Sequence, residues 1–373
     1  MIIRVKIMEK VRFGVVGAKG IGRTHMESIV SSENARLVAI ADINEAEGRA
    51  AASKYGVEWY MNYEKMLEQK DIDAVSICTP HFLHCPMTLK ALEYGKHVLV
   101  EKPMAITVRE ADKMVEKARN FGLKLGVVFQ YRTFPINREI KRLIDNGEIG
   151  KIYRVCIQAC TFRTQTYYES DRWRGKWATE GGGALINQTI HHIDLLQWFV
   201  GKPTRLQGQI GTMYHNMEVE DIASATIKFE NGAHGILQVG IVDAIETNRL
   251  EICGEKGKIE SNGETKRAVM SKPLRECIAD KKVWGGKPKC QWLEVKPKTE
   301  AKGGHTAVID EYAKALIEDK EPPVPGEDGR ASLEIVNAII LSSYEERAVT
   351  FPIDRDAYDG LMQRLSGQGH LSA

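Results

Sequence analysis

A chain of 373 residues exceeds what one hydrophobic core usually serves, so two domains are expected. Hydrophobic residues make up 43% and charged residues 27%, with a formal net charge of +2, which fits a soluble globular protein and excludes a field built for nucleic acid or an anionic membrane. The seven cysteines have no Cys-x-x-Cys spacing, so reduced thiols are expected and no metal centre is read. Met1-Ile2-Ile3-Arg4-Val5-Lys6 is too short and too charged for a signal peptide. No apolar run approaches the roughly 20 residues of a membrane span, and a cytoplasmic protein is expected.

The first third alternates strand-like and helix-like segments. Phe13–Gly17 reads as a buried strand breaking at glycine, Ile21–Val30 as a helix, and Arg36–Asp42 as a strand ending on an acid. Glu45–Tyr55 is helical with a stop at Gly56, and Asp73–Cys78 is a strand ending at Thr79-Pro80. The helix Phe82–Tyr94 stops at Gly95 and leads to the strand His97–Val100; the helix Thr107–Phe121 and the strand Leu123–Phe129 follow. Such alternation implies βαβ units and a parallel sheet, a Rossmann-type α/β domain over residues 1–133.

Beyond residue 133 the pattern changes. A helix, Asn137–Asn146, precedes closely spaced strands at Ile152–Ala159, Arg205–Met213, Ala223–Phe229, Ala233–Val242 and Arg249–Cys253. Asn231-Gly232 between two of them is a strong hairpin turn. Residues 134–373 therefore read as an α+β domain with a large, mainly antiparallel open sheet. The lysine-rich stretch from Lys256 to Lys302 reads as a solvated loop or edge strand.

Gly17-Ala18-Lys19-Gly20-Ile21-Gly22 follows a strand and opens a helix, the setting of a dinucleotide-binding turn. Gly17 permits the sharp turn, Gly22 lets helix and sheet approach, and the helix N-terminus offers N–H groups to a pyrophosphate. The usual middle glycine is Lys19; either Gly20 substitutes for it or the ammonium folds over the phosphates. Asp42 ends the second strand about 20 residues on, where a carboxylate accepts from both ribose hydroxyls and repels a 2′-phosphate, so NAD is favoured over NADP.

Three further segments are distinctive: Ile77-Cys78-Thr79-Pro80-His81-Phe82-Leu83-His84, Glu101-Lys102-Pro103, and Gly181-Gly182-Gly183-Ala184-Leu185-Ile186-Asn187 through His191 and Asp194. With the glycine turn, and down to Gly326–Arg330, they resemble the glucose–fructose oxidoreductase/inositol dehydrogenase (Gfo/Idh/MocA) family. The resemblance implies an NAD-binding Rossmann domain, a substrate-binding and oligomerisation domain whose open sheet faces another subunit in a homodimer or homotetramer, and dehydrogenation of a sugar, glycoside or sugar derivative. It makes Lys102 the catalytic lysine and His191 the catalytic histidine. Many members carry Asp where this chain has Asn187; an amide cannot take a proton, so Asn187 is assigned to a substrate hydroxyl. Asn187, His191 and Asp194 are spaced to share one helical face.

The resemblance also implies that Thr79, Pro80, His84, Glu101, Gln130, Trp173 and Arg174 line the cofactor, and that Tyr131 and Arg132 contact substrate. Arg163, a substrate-binding candidate, and Tyr167 and Tyr168 are candidates for the same rim or for packing. The Asn-type motif resembles that of members oxidising a pyranose C3 hydroxyl, which implies a 3-keto sugar product. Two other readings stand beside it: a glycosidase-like enzyme in which oxidation permits elimination of an aglycone, and a non-catalytic NAD-binding sensor.

Overall fold

The computed structural model describes residues 9–282, 284–299, 301 and 303–367. The N-terminal hexapeptide read for targeting lies outside them. The chain forms two compact units, one comprising residues up to Thr133 together with 302–333, the other 134–301 and 334 onward.

The first unit alternates β1 (Val11–Val16), α1 (Ile21–Ser31), β2 (Ala35–Ala41), α2 (Glu45–Tyr55), β3 (Glu58–Tyr60), α3 (Tyr63–Leu67), β4 (Ala74–Ile77), α4 (His81–Glu93), β5 (His97–Val100), α5 (Val108–Phe121) and β6 (Leu125–Val127). All pairings are parallel, in the order β3-β2-β1-β4-β5-β6. β4 is buried at every residue, which explains its unbroken apolar run. Thr107 caps α5 in a reciprocal capping box with Glu110, and left-handed Gly122 ends it. The β3–α3 pair escapes sequence pattern because β3 is three residues long and only half-buried.

Residues 302–333 return to this unit. Tyr312 and Ile309, on the helix His305–Ile317, join the same core as Phe13, Met26 and Ile40. The rings of Phe13 and Tyr312 are 6.2 Å apart, and the Tyr312 hydroxyl donates to the Lys124 carbonyl at 3.0 Å, so the ring is buried without an orphaned polar atom.

The second unit is built on a nine-stranded sheet. After α6 (Pro135–Asp145) come β7 (Ile152–Phe162), α7 (Gln165–Glu169) and α8 (Ile190–Val200). There follow β8 (Pro203–Gly211), β9 (Ile222–Phe229), β10 (His234–Gly240), β11 (Val242–Gly254), β12 (Gly257–Asn262), β13 (Glu264–Met270), β14 (Cys290–Glu294) and β15 (Val349–Thr350). The order is β14-β13-β12-β11-β7-β10-β9-β8-β15, and only β7 and β10 run parallel. Asn231-Gly232 makes the β9–β10 hairpin, with Gly232 at φ +87° and the Asn231 side chain accepting from the Ala233 N–H. β9 alternates buried and exposed residues, as expected of a sheet with one covered face. Gly208 is where the helix residue Ile339 comes so near that a Cβ would lie 2.8 Å from it.

The lysine-rich stretch supplies the edge strand β14 and also β12 and β13 beside it, where lysines pair with neighbouring acids, such as Lys258 with Glu260 at 3.0 Å.

Candidate active site

In the first unit, local sterics shape the glycine turn. Gly17 has φ +96°, and a Cβ there would meet the Cys78 carbonyl oxygen at 2.8 Å. A Cβ on Gly22 would lie 1.9 Å from the Gly17 carbonyl oxygen. Gly20 has φ +57° and nothing within 4 Å of its ideal Cβ position, so the open side of the turn is bare backbone at the start of α1. No side chain caps α1. Lys19 is exposed and Ile21 is 36% exposed. A pyrophosphate fits this cradle, because the backbone at Gly20 is open and the helix N-terminus favours an anion. Asp42 secures the turn: its carboxylate accepts from the Ala18 N–H at 2.6 Å and from the Asn44 N–H at 2.7 Å.

Lys102 follows β5 and is held through its neighbours. The Glu101 carboxylate accepts the Lys102 N–H at 3.0 Å, and the Glu101 N–H donates to the Ile77 carbonyl at 3.0 Å. Glu101 is itself buried and is met by His25 at 2.8 Å and His305 at 3.4 Å. Burial works against its charge, but hydrogen bonds from His25 and His305 prevail and hold its pKa well below the usual range. The other nitrogen of His25 meets the Ser76 hydroxyl at 2.6 Å. The three ligand-type atoms of His25, Glu101 and His305 lie within 4.8 Å of one another, and carboxylate–imidazole hydrogen bonds account for the grouping.

His84 is a strut. One ring nitrogen meets the Pro103 carbonyl at 2.6 Å and the other the Thr79 carbonyl at 2.7 Å, so the ring bridges the main chain after β4 to that after β5. Burial lowers its pKa. Gln130 and Tyr131 lie half-buried in a short 3-10 turn, Gln130–Thr133. Arg132, expected at substrate, is buried and ion-paired with Asp328 at 2.5 Å, so its charge serves the unit's own packing.

In the second unit, Asn187 and His191 are not on one continuous helix, contrary to the spacing argument. Ala184–Gln188 forms a π-helical turn, Thr189 breaks it with φ −113° and ψ 2°, and α8 begins at Ile190. Glu220 imposes this. Its carboxylate accepts from the Gly183 and Leu185 N–H groups, each at 2.9 Å, and its carbonyl accepts from the Ala184 N–H at 2.9 Å. A Cβ on Gly183 would lie 2.1 Å from that carbonyl oxygen. Burial raises the Glu220 carboxyl to about 7, against the opposing backbone donors.

His191 and Asp194 are both buried in α8. Burial also lowers the adjacent His192 imidazole to about 4, so that ring is neutral at ordinary pH. Asn187 is buried, and its amide donates to the Glu180 carboxylate at 2.6 Å. Arg174 lies over the rings of Tyr167 and Trp173, 4.3 Å and 4.5 Å from their centroids. Arg163 donates to the Gln188 side-chain oxygen at 3.0 Å.

The structure thus assembles Gly17–Gly22, Asp42, Thr79–His84 and Glu101–Lys102 in one unit and Arg163, Trp173, Arg174, Asn187 and His191 in the other. Glu180, Gln188, Glu220, His25 and His305 carry no local sequence signal for their roles, since each acts on a partner distant in sequence or in a different element.

A model described as oxidoreductase family, NAD-binding Rossmann fold, matches residues 11–129, and one described as the Gfo/Idh/MocA C-terminal domain matches 137–260. The chain belongs to the Gfo/Idh/MocA oxidoreductase family. It is 30% identical to the NAD(+)-dependent scyllo-inositol 2-dehydrogenase of Bacillus subtilis over 67% of this chain and 73% of the relative. It is 26% identical to myo-inositol 2-dehydrogenase of Thermotoga maritima over 91% and 98% of the two chains. Among solved structures, the WlbA dehydrogenase of Bordetella pertussis, in complex with NADH and UDP-GlcNAcA, superposes with a TM-score of 0.79 at 30% identity, covering 92% of this chain and all of that one. Family membership and the cradle at Gly17–Gly22 together make this an NAD-binding oxidoreductase.

Proposed function

We propose that this protein oxidises, and in reverse reduces, the C3 hydroxyl of a sugar, glycoside or sugar derivative, with Lys102 and His191 handling the hydroxyl proton. Bound NAD supplies the hydride acceptor. The observation that carries the reading is the anchoring of Lys102: its N–H is tied to a buried, ionised Glu101, which two histidines hold in turn. A catalytic ammonium needs a fixed origin, and a side chain of this length on a mobile main chain would lose much of the benefit of orientation. His191, at the start of α8, is a second group whose ring nitrogens can give or take a proton. The inositol dehydrogenases and the UDP-sugar-bound relative support a polyhydroxylated ring as substrate.

The exposed Ile236, Ile245 and Trp292, on three strands of the large sheet, support self-association as a homodimer or homotetramer. Among the described residues no helix is long and apolar enough to cross a membrane, and all seven cysteines are free, which suits a cytoplasmic setting.

The test is a panel of free sugars, methyl glycosides, inositols and UDP-sugars, assayed for NADH formation and for 3-keto product. Lys102→Ala should abolish turnover and leave NAD affinity within about threefold of the parent. Undiminished turnover in that variant refutes the assignment, and release of aglycone would instead establish the elimination chemistry.

A further inference from the structure

Tyr167 stands on the five-residue helix α7, half-buried, with its phenolic oxygen enclosed by donors. Arg174 donates to it at 2.6 Å, Gln188 at 2.8 Å, and the Asn187 amide lies at 3.4 Å. The direction of these bonds depends on which end of each amide carries nitrogen, and a second partner fixes both. Gln188 presents its oxygen to the Arg163 guanidinium at 3.0 Å, and a guanidinium only donates, so the Gln188 nitrogen must face Tyr167. Asn187 directs its nitrogen to the Glu180 carboxylate at 2.6 Å. Glu180 is positioned for this by the Gly175 N–H, which donates to its other oxygen at 2.5 Å. Arg174 has no acceptor atom.

A phenolic oxygen has one hydrogen to give and lone pairs for about two incoming donors. Both places are taken, and among the described residues no acceptor lies within hydrogen-bonding reach of the Tyr167 hydroxyl. We propose that Tyr167 is a specificity-determining residue, a one-way donor whose O–H is directed by Arg174 and Gln188 to an acceptor oxygen of the substrate ring beside Asn187. This rests on the reading of the protein as a sugar dehydrogenase and adds to it a demand on the substrate. The ring must carry an oxygen with a free lone pair next to the group bound at Asn187, and a deoxy compound at that carbon leaves the Tyr167 proton without a partner.

The experiment compares the parent protein, Tyr167→Phe and Gln188→Glu. Phenylalanine keeps the ring between Arg163 and Arg174 and removes only the hydroxyl. Gln188→Glu keeps the hydroxyl but offers it a carboxylate, which captures the proton inside the protein. Each variant is assayed with the most active sugar of the panel and its 2-deoxy, 4-deoxy and 6-deoxy analogues. Sugar binding to the NADH-loaded protein is measured in parallel by calorimetry. Both variants should lose about tenfold in kcat/KM and in sugar affinity, with NADH affinity unchanged. One deoxy analogue should lose about tenfold on the parent and nothing further on Tyr167→Phe. Variants within twofold of the parent, or a deoxy penalty that persists in Tyr167→Phe for every analogue, would overturn the assignment. If the parent forms no NADH with any sugar, the dehydrogenase reading fails, and the calorimetric comparison still decides the role of Tyr167. A parent that neither turns over nor binds any member of the panel overturns both.

Discussion

Glu220 links the fold of the second unit to its pH response. Its carboxyl is fully buried, accepts two N–H groups from the π-helical turn, and has a second oxygen with no hydrogen-bond partner among the described residues. Burial raises its pKa from 4.5 to about 7. The folded protein therefore retains a proton that the unfolded chain releases as pH rises above about 4.5. The stability this group contributes is fully present below that value and is lost as pH rises through about 7. At 1.36 kcal/mol per tenfold, a rise from 4.5 to about 7 corresponds to a loss of about 3 kcal/mol on ionisation. Glu220→Gln removes the ionisation and keeps an oxygen for the Gly183 and Leu185 N–H groups. Urea unfolding of parent and variant, followed by tryptophan fluorescence from pH 5 to pH 9, should show the variant gaining on the parent by about 3 kcal/mol across that range. A difference that stays constant with pH would refute the reasoning.

Two more substitutions address the first unit. Gly22→Ala places a methyl group 1.9 Å from the Gly17 carbonyl oxygen, so the turn must open; a stability loss of about 3 kcal/mol and an NAD affinity reduced at least tenfold are expected from urea unfolding and nucleotide titration. His84→Leu keeps the bulk but leaves the Thr79 and Pro103 carbonyls without their imidazole; stability should fall by about 2 kcal/mol, and kcat should fall more than NAD affinity, as steady-state kinetics beside nucleotide binding would show.

What could be read ahead of the structure was what neighbouring residues decide. β1, β4 and β5 are apolar runs buried by a parallel sheet, and Thr107 with Glu110 caps a helix from three residues away. Asn231-Gly232 turns a hairpin by its own backbone preference. The short β3 and the strands β12 to β14 are half-exposed and rich in charge, so their alternation lacks the apolar contrast on which pattern reading depends.

The site divides along the same line. The glycine turn has the local geometry its sequence implies, and Asp42 lies beside it, accepting from the Ala18 and Asn44 N–H groups. His84, Glu101 and Arg132 are polar residues in conspicuous motifs, yet each is occupied by other protein groups: two main-chain carbonyls, two histidines, and an aspartate 196 positions away. A buried polar group must be paired, and its partner can come from anywhere in the chain, so a motif identifies the residue without identifying what it faces. The break between Asn187 and His191 follows the same rule, since the helical spacing was sound and Glu220, 35 residues beyond Leu185, changed the geometry. Tyr167 is the converse case. Its neighbours are donors locked by their own partners, so its proton is directed outward by elimination, a property that belongs to the network of six side chains and to none of them singly.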